Sequence, residues 1–283
     1  GAVHVTVSIG ICDDTIPVAR PLDRLQYADT AAYRAKRLGE DRQVLYDTGL
    51  HRESVEYRRV ESLLRTALEE GRFVMHYQPI VDLADGRPTG VEALVRMRDR
   101  DGKLVPPGEF IEVAERSGLI VPMGAWVLAE SCRSIAALHR SAGVPLRVSV
   151  NVAARQASRP DLVTAVYRAL EQAEMPPDAL TLELTESALL EADASTLDRL
   201  NELRESGIQI ALDDFGTGYS SLAYLRQLPV SLIKVDQSFV GTMTTDPGSA
   251  AIVRAVTTLA GDLGLSWVAE GVETMEQWQA LRE

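Results

Sequence analysis

The first part of the chain alternates apolar with smaller or polar residues over 3–11, a period of two that predicts a half-buried strand. Apolar residues at helical spacing follow over 22–35, and a basic residue and a glycine then end that predicted helix. A second short strand is predicted over 43–46. These few elements offer too little apolar core to fold alone, so residues 1–50 are expected to be the remnant of a larger domain.

The rest of the chain repeats strand and helix patterns. A mixed-charge helix with one apolar face is predicted over 57–68, and we place a linker helix at 51–62 and the main domain at 63–283. Short apolar runs predict seven strands, at 73–81, 90–96, 146–152, 180–184, 208–213, 232–236 and 265–269. Helical patterns lie between most of these strands, which predicts a mostly parallel sheet with right-handed helical crossovers.

Two kinds of parallel-sheet fold are compatible with this order of elements. No GxGxxG motif follows an early strand and there is no Walker lysine, which argues against an open, nucleotide-binding sheet. The expected fold class is therefore α/β, a TIM-like (β/α)8 barrel that is one strand short within this chain.

The charge of the chain narrows the classes of partner. Acidic side chains outnumber basic ones, 41 to 29, which gives a formal net charge of −12 over 283 residues. Broad binding to DNA or to a membrane surface needs clustered lysine and arginine instead. No apolar run reaches the length of about 18 residues that a membrane-spanning helix needs, and no signal peptide opens the chain. We expect a cytoplasmic region with no DNA partner and no membrane segment; a membrane anchor elsewhere in the parent protein is compatible with this.

Polar residues lie at or near the carboxyl ends of six predicted strands. They are Glu92, Asn151, Glu183, the pair Asp213 and Asp214, the pair Lys234 and Asp236, and Glu270. In a barrel of parallel strands these ends meet at one mouth, where such folds carry their chemistry. A single carboxylate after a strand is more often a helix cap, but six such positions together favour a common site.

The types of these side chains indicate which metal they suit. Carboxylate and amide oxygens favour hard divalent cations such as Mg²⁺ or Mn²⁺. Cys12, Cys132 and the four histidines have no metal-ligand spacing, which argues against zinc. In a two-metal site one carboxylate can bridge ions about 3.5–4 Å apart, a role that suits the adjacent Asp213 and Asp214. The pattern therefore predicts hydrolysis of a phosphate ester. The glycine-rich stretch 213–222, taken alone, indicates only an ordinary βα loop.

Several segments together resemble the EAL-domain family of cyclic di-GMP phosphodiesterases. In chain order they are FVMHYQPIVDL, EALVR, PPGEFIEVAERSGLI, VSVNVAARQ, LELTES, ALDDFGTGYSSLAYLRQLPVSLIKVDQSFV and VAEGVETMEQ. The resemblance covers 63–283 and implies a TIM-like barrel of EAL type that lacks its last strand and helix here. Residues 1–50 are similar to the carboxyl-terminal end of a GGDEF (diguanylate cyclase) domain, through VTVSIGIC and LQYADTAAYRAKRLGEDRQVLYD.

The EAL resemblance implies metal-dependent hydrolysis of one phosphodiester bond of cyclic di-GMP to linear pGpG in bacterial second-messenger signalling. The implied ligands of a two-metal Mg²⁺ or Mn²⁺ site are Glu92, Asn151, Glu183, Asp213, Asp214 and Glu270. Among these, Glu92 and Glu270 also count as catalytic, with Glu270 completing the second metal position or acting as base. Lys234 would orient or activate the attacking water. The implied substrate contacts are Gln78, Arg96 and Asp214, and Glu186 would anchor the loop after Asp214.

The chain departs from the family pattern at two places. Ala153 stands where a serine is usual two positions after Asn151, although the ligand itself is kept. The chain also stops at Glu283, before the last strand and helix, which usually carry a glutamine of the site in a QGY-type segment. A barrel without its eighth strand has two open edges, so reduced activity is expected. The family further implies a homodimer through the EAL domain and upstream GGDEF or sensor domains.

Two other functions stay open on the sequence. The chain could be a catalytically inactive receptor or regulatory module that binds cyclic di-GMP. Such modules typically lose a metal ligand or the glutamate of the EAL motif, whereas each of those positions is filled here. An unrelated metal-dependent barrel, enolase-like or aldolase-like, is the third class, and the long DFGTGYSS and EGVET segments argue against it.

Overall fold

The computed structural model describes residues 6–14, 16, 20–39, 41–216 and 225–282. The chain divides into two compact units, Gly1–Thr66 and Ala67–Glu283. Helix α2 (Thr48–Glu70) is one continuous helix that covers the predicted linker, 51–62, and crosses the boundary between the units. Its buried residues Val60, Leu64 and Ala67 recur at helical spacing, as the apolar pattern predicts.

The first unit contains a small parallel sheet. Strand β1 (Ile9–Ile11) pairs with β2 (Gln43–Leu45), and α1 (Pro21–Arg37) lies between them in the sequence. The ring of Tyr46 is buried and stacks on Tyr27, with 4.4 Å between ring centroids. The predicted helix and second strand are confirmed. Of the first predicted strand, 3–11, only Ile9–Ile11 form a strand; residues 6–8 are irregular, and 3–5 lie outside the described residues.

The second unit is built on a curled, mixed sheet. Its strands are β3 (Phe73–Val81), β4 (Pro88–Arg98), β5 (Leu104–Val105), β6 (Arg147–Asn151), β7 (Leu180–Thr185), β8 (Gln209–Phe215), β9 (Leu232–Val235) and β10 (Ser266–Ala269). The order across the sheet is β10, β9, β8, β7, β6, β4, β3, with β5 paired to β4. The neighbours from β4 to β10 are parallel, whereas β3 and β5 pair with β4 antiparallel.

Helices alternate with the parallel strands, as predicted. They are α3 (Pro107–Ser117), α4 (Ile120–Ala142), α5 (Ala154–Ala157), α6 (Leu162–Ala173), α7 (Glu186–Leu190), α8 (Ala194–Glu205), α9 (Gln237–Val240), α10 (Pro247–Asp262) and α11 (Met275–Arg282). Within the described residues the path of the sheet ends at β3 and β10, a half-barrel consistent with a TIM-like fold. The sequence pattern does not predict the two-residue strand β5 or helix α3, which lie on either side of Pro106.

The core of the second unit surrounds the parallel strands. Residues Leu180–Leu184 of β7 are buried at five consecutive positions, which is typical of a parallel strand covered on both faces. One of the five is Glu183, so the strand that packs the core also carries a carboxylate into it. Among the described helices, none combines the length and the apolarity that crossing a membrane requires.

Candidate active site

A buried lysine lies at the centre of a group of carboxylates. Lys234, on β9, is 2% exposed. Its ammonium nitrogen, Nζ, lies 2.8 Å from Glu183 Oε2 and 3.1 Å from Asp213 Oδ1. The same nitrogen lies 2.5 Å from Glu270 Oε1 and 3.5 Å from Glu92 Oε2. Carboxylates from three strands and from the loop after β10 therefore meet at one cation, and the structure brings these predicted site residues together.

The register of the parallel strands explains this convergence. Asn151 at the end of β6 is directly opposite Glu183, while Glu92 is opposite Ser149. Residues 149 and 151 share a face of the sheet, so Glu92 lies one pleat deeper than Asn151. The Asn151 amide donates a hydrogen bond to Glu92 Oε1 at 3.0 Å. Glu92 is thus in the middle of β4 rather than at its end, because β4 is longer than its parallel neighbour β6 and extends beyond it.

A β-bulge places two carboxylates opposite the lysine. The register between β8 and β9 shifts between Leu212 and Phe215, so that Asp213 and Asp214 together oppose Lys234 alone. Asp214 takes a left-handed backbone conformation with φ 56°, which aspartate tolerates better than most residues. Its backbone N–H donates to Asp213 Oδ1 at 3.1 Å, which helps to orient the Asp213 carboxylate.

Burial and charge shift the pKa of several of these groups. Burial raises the pKa of Glu183, although the ammonium of Lys234 opposes that shift. Burial also raises the pKa of Glu270 and of Asp214, and the neighbouring Asp213 raises that of Asp214 further. For Lys234 burial alone would lower the pKa, but the surrounding carboxylates, above all Glu183, raise it. The lysine is therefore held as a cation in the middle of an excess of negative charge.

The donor atoms of the group fit a hard divalent cation. All are carboxylate or amide oxygens, the ligands that Mg²⁺ and Mn²⁺ prefer. Glu183 Oε1 is buried and has no hydrogen-bond partner in the described structure, so one oxygen of the cluster is left to a further ligand. Across the described ranges, no three His, Cys, Asp or Glu side chains are grouped so that they could hold a metal ion as they stand. The ammonium of Lys234 lies among these carboxylates instead.

Gln78 and Arg96 flank the carboxylate group on the antiparallel side of the sheet. Gln78 on β3 is directly opposite Glu92 on β4, so the two side chains share a face. Arg96 lies four residues beyond Glu92 along β4, on that same face, and its guanidinium donates to the Val95 carbonyl at 2.9 Å. The two side chains offer hydrogen-bond donors beside the acidic group.

Two other acidic residues lie apart from Lys234. Glu186 begins α7, is 7% exposed, and is not among the carboxylates within 4.0 Å of the ammonium. Neither of its carboxylate oxygens has a hydrogen-bond partner in the part of the chain that is described, and residues 217–224 of the loop it is predicted to anchor lie outside that part. Asp236 accepts a hydrogen bond from the Ser238 N–H at 2.9 Å and caps α9. It therefore has the helix-capping role that is common for a carboxylate after a strand.

Sequence reasoning missed one buried polar residue close to the site. Gln277, in α11, is 5% exposed and hydrogen-bonds to the backbone of the loop that follows Glu270. The signal for it is present in the sequence. Thr274 and Gln277 have the spacing T-x-x-Q of a capping box, which marks the start of a helix.

The fold and the site define an α/β half-barrel protein with an acidic, lysine-centred site on its parallel strands. The chain belongs to the EAL domain family, whose model matches residues 61–283. It is 38% identical over 275 residues to the cyclic di-GMP phosphodiesterase PdeR of Escherichia coli (strain K12), covering 97% of this chain and 41% of PdeR. It is 41% identical over 280 residues to the bifunctional diguanylate cyclase/cyclic di-GMP phosphodiesterase MucR of Pseudomonas aeruginosa, covering 99% of this chain and 41% of MucR.

A solved structure of the PaMucR phosphodiesterase in complex with c-di-GMP is also similar. Its TM-score is 0.75 at 41% sequence identity, and the match covers 79% of this chain and 91% of that one. The chain spans less than half the length of either curated relative, PdeR or MucR.

Proposed function

We propose that this chain carries the hydrolase domain of a cyclic di-GMP phosphodiesterase, which converts cyclic di-GMP to linear pGpG in bacterial second-messenger signalling. The observation that carries the proposal is the contact of Lys234 with four carboxylates, three on strands of the sheet and one directly after β10. The printed names of PdeR and MucR support the substrate class, as does the c-di-GMP bound in the PaMucR structure.

The proposal includes two divalent cations, Mg²⁺ or Mn²⁺. The residues proposed to hold them are Glu92, Asn151, Glu183, Asp213 and Asp214, and Glu270 would complete the second metal position or act as base. The oxygen-only donor set and the unpartnered Glu183 Oε1 support this assignment. When bound, such ions supply an activated water and neutralise charge on the phosphodiester.

Lys234 and Glu270 have different roles in the proposed reaction. Because the surrounding carboxylates raise the pKa of Lys234, its ammonium stays charged and only donates hydrogen bonds. Lys234 therefore orients the attacking water and stabilises negative charge, and it does not act as base. Burial raises the pKa of Glu270 above its ordinary value, which favours its carboxylate as the acceptor of the proton from water. The water then attacks phosphorus, and the 3′-oxygen of one guanosine leaves.

Substrate contacts are proposed on the antiparallel side of the site. Arg96 offers a guanidinium whose geometry matches phosphate oxygens, and Gln78 offers an amide on the face that carries Glu92. Asp214, at the bulge, would face the substrate as well as the metals. Glu186 is proposed to anchor the loop after Asp214, and its two unpartnered carboxylate oxygens support such a role.

The first unit is proposed to be the carboxyl-terminal end of a GGDEF domain. Its parallel strands β1 and β2 with α1 between them support this, as does the similarity to MucR over 99% of this chain. The homodimer, the upstream GGDEF or sensor domains and the cytoplasmic location stay predictions.

Turnover of cyclic di-GMP by the chain tests the proposal. Incubation with Mg²⁺ or Mn²⁺ should produce pGpG, measured by chromatography, and EDTA should stop the reaction. Glu92→Gln should abolish turnover because it removes a carboxylate from the Lys234 group, whereas Glu109→Gln, at an exposed position of α3, should leave it unchanged. Tight binding of cyclic di-GMP without turnover in either metal would contradict the proposed hydrolase and support the receptor alternative.

A further inference from the structure

The loop that carries Glu270 is held by a buried glutamine of the helix that follows. Gln277 Oε1 accepts hydrogen bonds from the Glu273 N–H at 2.7 Å and from the Thr274 N–H at 2.9 Å. The side chain of Gln277 is almost fully buried, so each of its polar atoms needs a partner within the protein. One carbonyl oxygen thus fixes two consecutive residues of the loop.

Part of this arrangement is an ordinary helix cap. Thr274 Oγ1 accepts from the Gln277 N–H at 3.2 Å, while Gln277 Oε1 accepts from the Thr274 N–H, which together form a capping box at the start of α11. A glutamate serves equally well at the last position of a capping box, because only its acceptor oxygen is used. The cap alone therefore does not require the amide nitrogen of Gln277.

The amide nitrogen makes a separate contact with a neighbouring segment. Gln277 Nε2 donates to the Gly241 carbonyl at 3.3 Å. Gly241 directly follows α9, which in turn follows β9, the strand that carries Lys234. This bond joins the segment after Glu270 to the segment after Lys234.

Two further contacts hold the same loop against the same segment. The Glu270 N–H donates to the Val235 carbonyl at 3.1 Å. Gly271 has φ 67°, and a Cβ placed there would lie 2.7 Å from Cβ of Gln237, so only glycine allows this approach. With the bond from Gln277, two hydrogen bonds and one close approach hold the loop at the β9–α9 segment.

We propose that Gln277 is a positioning residue for Glu270, which rests on the function proposed above. By joining the 270–274 loop to Gly241, its amide fixes the Glu270 carboxylate at the 2.5 Å contact with Lys234 Nζ. A positioned base loses rate steeply when it is displaced, because a shift of about 1 Å can cost roughly a hundredfold.

The substitution Gln277→Glu separates the cap from the cross-link. The carboxylate keeps both N–H acceptor contacts but cannot donate to the Gly241 carbonyl. We expect kcat for cyclic di-GMP to fall about ten- to a hundredfold with KM within about twofold, because a base is displaced while substrate contacts on β3 and β4 stay. Gln279→Glu adds the same charge at an exposed position of the same helix and should keep the wild-type kcat.

A structural measurement tests the inference without relying on activity. Hydrogen exchange of the 266–274 peptide should be faster in Gln277→Glu than in Gln279→Glu, while the peptides of β7 exchange alike in both variants. A Gln277→Glu protein with wild-type kcat and wild-type exchange would overturn the inference. A wild-type chain that does not hydrolyse cyclic di-GMP would contradict the proposed function, and the exchange comparison would still decide whether Gln277 fastens the loop.

Discussion

Glu183 and Glu270 contact the same ammonium from two different regions of the sheet. Glu183 lies within β7, which pairs with β6 on one side and β8 on the other, and its side chain is fully buried. Glu270 follows β10, which within the described residues pairs only with β9, and its side chain is 24% exposed. One carboxylate belongs to the interior of the sheet and the other to its margin.

The comparison shows two ways of fixing a reactive side chain. In the interior, two hydrogen-bonded ladders and a packed apolar core hold Glu183, and no side chain of a loop is needed. At the margin a single ladder ends just before Glu270, so the loop must be fastened by specific contacts, those of Gln277 and Gly271. The interior group should be robust to local changes, and the marginal group should be sensitive to them.

Substitution of Lys234 should have the largest effect, because its ammonium is the ionic partner of both Glu183 and Glu270. In Lys234→Met the carboxylates lose their buried partner, which costs roughly 3–5 kcal/mol of unfolding free energy. Hydrolysis of cyclic di-GMP should also be lost. Urea unfolding in EDTA measures the first effect, with Lys103→Met, at an exposed turn, as the matched control. A loss below about 1 kcal/mol in Lys234→Met would contradict the role of the buried ion pairs.

Truncation of an apolar neighbour should distinguish the two regions. Leu182, beside Glu183, is fully buried, and Leu182→Ala should cost about 2–5 kcal/mol of unfolding free energy because it leaves a cavity. Val268 on β10 is only partly buried, and Val268→Ala should cost about 1 kcal/mol or less. Equal losses in urea unfolding would show that the margin is packed as tightly as the interior.

Amide exchange compares the regions without any substitution. The N–H groups of β7 should exchange only when the whole domain unfolds, because they lie between two ladders in the core. Those of β10 should exchange at least about tenfold faster, through local opening at the margin. Peptide-resolved mass spectrometry measures both strands in one experiment, and equal protection would contradict the distinction.

The smallest effect is expected for thiol alkylation, because the buried Cys132 should not react at all. Cys132 in α4 is fully buried, and burial raises the pKa of its thiol to about 12. Since the thiolate is the reactive form, iodoacetamide at pH 8 should leave Cys132 unmodified in the native protein. A cysteine introduced by Ser266→Cys, at an exposed position of β10, should react readily in a Cys12→Ser background. Rapid modification of Cys132 would mean that the interior opens as easily as the margin.

Much of the fold is predictable from the sequence, but the direction of one strand is not read from its apolar pattern. The seven main strands follow their apolar runs closely, and Leu180–Leu184 shows the continuous burial of a parallel strand. Strand β3 is antiparallel to β4, and periodicity carries no information on direction. The connection 82–87 does indicate the direction, because it is too short for a parallel crossover, which needs a dozen or more residues.

The site is predictable in its residue types and less so in its geometry. Acidic residues after several strands indicate one common site, since parallel strands bring those positions together. That Lys234 contacts four of them, and that Glu92 lies one pleat deeper than Asn151, depends on strand register, which the sequence alone does not define. Gln277 could have been found from the T-x-x-Q spacing, but its bond to Gly241 depends on the tertiary fold.

The bulge opposite Lys234 means that the site depends on the number of residues in β8 as well as on their identity. Deleting Asp214 would remove the bulge and leave Asp213 alone opposite Lys234, while Phe215 would keep Val235 as its partner. A substitution at Asp214 alters one carboxylate, whereas a one-residue deletion there would remove a carboxylate and also the local bend that the bulge gives to β8. Among related chains, a gap at this position is therefore a stronger sign of a changed site than any single replacement.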